Sequence, residues 1–101
     1  MTPNHLAKIK RTLQQMRRSP SGIKTMELEG LARALGRHAV SRGKEPTYIR
    51  DADPRLTSPL SIPGHATDLR VGTAINIIKA LLDDVAVWEA HLRGGNDGSK
   101  R

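Results

Sequence analysis

The sequence predicts an α+β domain, with helices packed on one face of a small three-stranded antiparallel sheet. Two observations carry that expectation. Apolar residues recur at helical period in three segments, two before residue 36 and one after residue 70. Between them come short runs with the β-branched and aromatic character of strands, punctuated by glycine and proline. A chain of 101 residues supports one domain, set at residues 1–95, with 96–101 as a flexible polar tail. Within the domain, residues 1–20 are an additional N-terminal helix and 23–92 the core.

Each element has its own signals. Leu6, Ile9, Leu13 and Met16 form one apolar stripe over residues 3–18, with Thr2 placed to cap and Pro3 suited to the first helical position. Lys8, Lys10, Arg11, Arg17 and Arg18 occupy the rest of that helix. Its charged side is either laid on phosphates or simply solvated around a docked helix. Ser19-Pro20-Ser21-Gly22 ends it. A second helix is expected over 25–35, with Thr25 as N-cap, Leu28, Leu31, Ala32 and Leu35 inward, and Gly36 as the stop. His38–Ser41 and Glu45–Arg50 are expected strands joined by the turn Arg42-Gly43-Lys44, with Pro46 pointing to an edge position. Residues 51–59 read as a loop, and Leu60-Ser61-Ile62 as a brief third strand. Residues 71–92 carry the clearest helical pattern, through Val71, Ala74, Ile75, Ile78, Leu81, Leu82, Val85 and Trp88, until Gly94-Gly95.

Composition narrows the chemistry. Phenylalanine is absent and Tyr48 and Trp88 are the only aromatics, so the core is aliphatic. Without cysteine there is no disulfide, thiolate metal site or cysteine nucleophile. No run approaches a membrane span, and Lys8, Lys10 and Arg11 interrupt any N-terminal hydrophobic region, so a cytoplasmic protein is expected. The charge is asymmetric. Residues 1–50 hold eleven Lys/Arg against three acids, a net of +8, whereas residues 51–101 hold six against seven, a net of −1. A polyanion such as nucleic acid, touched mainly by the first half, is the natural partner, with a membrane surface or an acidic protein as the competing ones.

Catalytic motifs are scarce. His5, His38, His65 and His91 are scattered without metal-ligand spacing, and no phosphate-binding loop or serine elbow is present. No metal or cofactor is expected. Asp83-Asp84 reads as surface charge on a helix. Two clusters remain. Arg42-Gly43-Lys44, flanked by Arg37, His38 and Arg50, offers a basic turn where backbone can approach a phosphate. His65 lies in the loop before the last helix, where free amides favour anions.

The stretch PLSIPGHATDLRVGTAINIIKALL resembles the closing strand, loop and helix of HicA-family toxins, through Ile62-Pro63, His65, Asp68-Leu69, Gly72-Thr73 and Ile77-Ile78. MELEGLARALG and the basic strand after it are similar to the family's first helix and hairpin. The resemblance covers about residues 23–82. It implies a double-stranded-RNA-binding-domain-like α-β-β-β-α fold, here with an added N-terminal helix. It also implies an mRNA endoribonuclease of a type II toxin–antitoxin module, neutralised by a HicB-like antitoxin. The chain departs from the family at the hairpin. Where members place a catalytic histidine, this sequence has Glu45 and Pro46. Metal-free RNA cleavage needs a base for the 2′-hydroxyl and an acid for the leaving oxygen. The candidates are His65, His38 and Glu45, and the expected RNA contacts are Arg37, Arg42, Gly43, Lys44 and Arg50. A non-catalytic nucleic-acid-binding or regulatory module is the alternative, and a protein-interaction module the third.

Overall fold

A computed structural model describes residues 1–42, 45–63 and 69–95. The order is α1 (Pro3–Arg18), α2 (Thr25–Ala34), β1 (His38–Arg42), β2 (Glu45–Arg50), β3 (Leu56–Ser61) and α3 (Val71–Ala90), followed by a kinked segment, His91–Gly95, in which Gly94 has a φ of +122°. This is an α+β fold with three helices and one three-stranded antiparallel sheet, in the order β1-β2-β3. No helix among the described residues is long and apolar enough to cross a membrane.

Helix α1 begins where expected. The Thr2 hydroxyl accepts from the His5 amide at 3.1 Å, satisfying one of the orphan donors of the first turn. Leu6, Ile9 and Leu13 are buried, and this stripe lays α1 along α3. A Lys10–Glu89 ion pair at 3.0 Å spans the same contact.

Helix α2 is capped one residue earlier than expected. Lys24 is the N-cap, because Glu27 reaches back to accept from the Lys24 amide at 2.9 Å, while Thr25 is already helical and buried. Its end follows from Gly36. At φ +92° the glycine lets the Arg37 amide donate to Ala32 O at 3.0 Å and its own amide to Arg33 O at 2.9 Å, a Schellman closure.

In the sheet, His38 pairs with Ile49, Ala39 with Tyr48 and Val40 with Thr47, and Tyr48 pairs in turn with Leu60. The structure corrects two expectations. Strand β2 is central, not an edge, although it contains Pro46. Proline removes only a donor, and its carbonyl still accepts from the Ile62 amide at 3.3 Å. Strand β3 also begins at Leu56 rather than Leu60, so it absorbs part of the expected loop, and Pro59 falls on an edge strand, where proline is tolerated.

The core joins the layers. Tyr48 from β2 and Ile62 meet Leu28, Ala32 and Leu35 of the α2 segment and Ile78, Leu81 and Val85 of α3, while Leu6, Ile9 and Leu13 extend it from α1. The Leu69 amide bonds Ile23 O at 3.0 Å, fastening the segment before α3 to the one before α2.

Candidate nucleic-acid interface

Two of the five expected RNA contacts lie inside the protein. Arg37 and Arg50 are 5% and 2% exposed, and both guanidinium groups converge on Asp84, which is 1% exposed. Arg37 Nε donates to Asp84 Oδ2 at 3.0 Å, and Arg50 Nη1 lies 2.7 Å from Oδ1 and 2.9 Å from Oδ2. The aspartate expected on the surface is therefore the counterion of two buried arginines.

Among the described residues this cluster carries one more positive than negative charge, and backbone carbonyls face the arginines as well. Arg37 Nη1 donates to Tyr48 O at 3.0 Å, Arg50 Nη1 to Leu35 O at 2.9 Å, and Arg50 Nε to Pro54 O. Leu35 O is the C-cap carbonyl of α2, at the negative end of that helix's dipole, and it also accepts from Trp88 Nε1 at 2.8 Å. The Trp88 ring lies 5.1 Å from the Arg50 guanidinium carbon, so its π face meets the remaining charge. The cluster fastens α2, β2, the segment around Pro54 and α3 to one another. Arg37 and Arg50 belong to the fold and not to a surface.

Of the candidate catalytic groups, the structure describes the side chain of His38 and the backbone position of Glu45. His38 is exposed on β1, and its Nε2 lies 3.5 Å from Asp51 Oδ1, a carboxylate able to orient the ring. Glu45 pairs with Arg42 at the other end of the β1–β2 ladder, four residues from the His38–Ile49 pair. At about 3.3 Å of rise per residue the two positions are about 13 Å apart. His65, Gly43 and Lys44 lie outside the described residues, as do the side chains of Arg42 and Glu45. Among the described residues no group of three or more potential ligands is placed to hold a metal ion.

Exposed cations of the first half lie elsewhere. Lys8, Arg11, Arg17, Arg18, Lys24 and Arg33 are all exposed, and the first acid in the chain is Glu27. Among the described residues, none of these six cations takes part in a salt bridge. Comparison of the chain with family models, curated proteins and solved structures gives no match.

Proposed function

We propose that the protein binds RNA, as a HicA-like chain on a double-stranded-RNA-binding-domain-like fold, and acts as a toxin on mRNA held in check by a HicB-like antitoxin. The observation that carries the reading is the acid-free run of residues 1–26, whose cations Lys8, Arg11, Arg17, Arg18 and Lys24 stand exposed on an ordered scaffold. Such a surface neutralises phosphates and binds in a strongly salt-dependent way. The order α2-β1-β2-β3-α3, with α1 added in front, agrees with the architecture that the resemblance implies.

Within this reading His38 is the base candidate, because Asp51 is beside it and solvent reaches it. Incubating purified protein with RNA, with and without a divalent cation, tests the nuclease step. Cleavage lost in His38→Ala at unchanged melting temperature supports it, and intact RNA with the wild type refutes it. The second reading is a binding module without turnover. The separation of the His38 and Glu45 positions along the ladder favours that reading, since those two candidates then do not share one end of the hairpin.

A further inference from the structure

Helix α1 presents a stripe of one chemical kind. Asn4, Lys8, Arg11, Gln15 and Arg18 succeed one another at steps of three and four, opposite the buried Leu6, Ile9 and Leu13, and all five are exposed. The stripe holds three cations, two amides and no acid, and no salt bridge engages Lys8, Arg11 or Arg18 among the described residues. Lys10 differs: it sits on the flank and is occupied by Glu89. Arg11 and Arg18 stand two turns apart, about 10.5 Å along the axis. The stripe is held in place by the docking of α1 on α3, so little order has to be gained on binding.

The aromatics decide which form of RNA suits such a face. Single strands are bound largely by stacking bases on exposed rings. Tyr48 is 1% exposed, and Trp88 is partly buried, with its Nε1 donating to Leu35 O and Arg50 beside its ring. Neither is a stacking platform. A duplex is recognised through phosphates and 2′-hydroxyls, which cations and amides contact without rings.

We infer that the solvent face of α1, through Lys8, Arg11 and Arg18 with Asn4 and Gln15, is the principal contact surface for the backbone of duplex RNA, ahead of the β1–β2 hairpin. This rests on the RNA-binding reading and adds the surface and the form of RNA.

The test measures affinity for one RNA duplex, and for a single strand and a DNA duplex of the same sequence, between 50 and 200 mM salt. The proteins are the wild type, Lys8→Gln/Arg11→Gln/Arg18→Gln, and Arg42→Gln/Lys44→Gln. Losing three phosphate contacts lowers the salt slope by about 2.7. Over that fourfold change in salt, the affinity loss of the wild type then exceeds that of the α1 variant by about 40-fold. The expected result is this flattening with an unchanged melting temperature, a smaller change in the hairpin variant, and preference for the RNA duplex. A wild type that binds RNA while the α1 variant matches it overturns the inference and leaves the RNA reading standing. Tighter binding to the single strand or to DNA overturns the duplex-RNA assignment. A wild type that binds no RNA removes the reading and the inference together.

Discussion

Asp84→Asn is the perturbation whose outcome is best determined by the structure. The carboxylate is 1% exposed and faces Arg37 and Arg50, which are 5% and 2% exposed. An amide keeps the shape but removes the negative charge that faces two buried cations. Removing one partner from a buried ion pair costs about 3–5 kcal/mol. A domain of this size has about 5–15 kcal/mol in total, so the variant loses a large share of its stability. At about 4–8 °C per kcal/mol, the melting temperature falls by about 12 °C or more. Thermal and urea unfolding followed by circular dichroism reads the change directly. Asp83→Asn, one residue away and exposed, is the control and should stay within about 0.5 kcal/mol of wild type. The combined change Arg37→Met, Asp84→Leu and Arg50→Met should recover only part of the loss, because the Tyr48 and Pro54 carbonyls lose the arginine donors that now serve them. If Asp84→Asn melts with Asp83→Asn, the account of the cluster is wrong.

Other substitutions test other joints. Gly36→Ala places a Cβ 3.2 Å from Arg50 Cδ at a φ of +92°, and a loss of about 1–2 kcal/mol is expected in denaturant titration. Leu13→Ala empties a fully buried site between α1 and the rest of the core, and should cost about 2–5 kcal/mol in the same titration. An unchanged midpoint would show that α1 does not share the cooperative unit.

Periodicity made the three helices legible, because each buries one stripe: α1 through Leu6, Ile9 and Leu13, and α3 through Ala74, Ile77, Ile78, Leu81 and Val85. Strand position was harder. Pro46 marks an edge only if its missing donor matters, and beside the hairpin turn it does not. Asp84 shows the sharper failure of a local reading. Adjacent acids look like solvated charge, yet position 84 is three after Leu81 and four before Trp88, inside the apolar stripe. An acid at an inward position calls for buried cations, and that signal was present. Its partners Arg37 and Arg50 look like surface bases until the alternation of β2 puts Arg50 on the buried face with Tyr48. The exposed face of α1 was readable as charge, although the sequence alone left open the direction in which α1 packs.

The docking of α1 on α3 bears on how the chain is made. Lys10 and Glu89, partners across that contact, are 79 positions apart. A growing chain completes α1 early, but its apolar stripe finds its resting place only after α3 has left the ribosome. Until then Leu6, Ile9 and Leu13 lack the α3 surface on which they come to rest. A chain stopped at residue 70 should leave α1 open to limited proteolysis, whereas the full chain protects it. Protection in the shortened chain would mean that α1 finds shelter without α3.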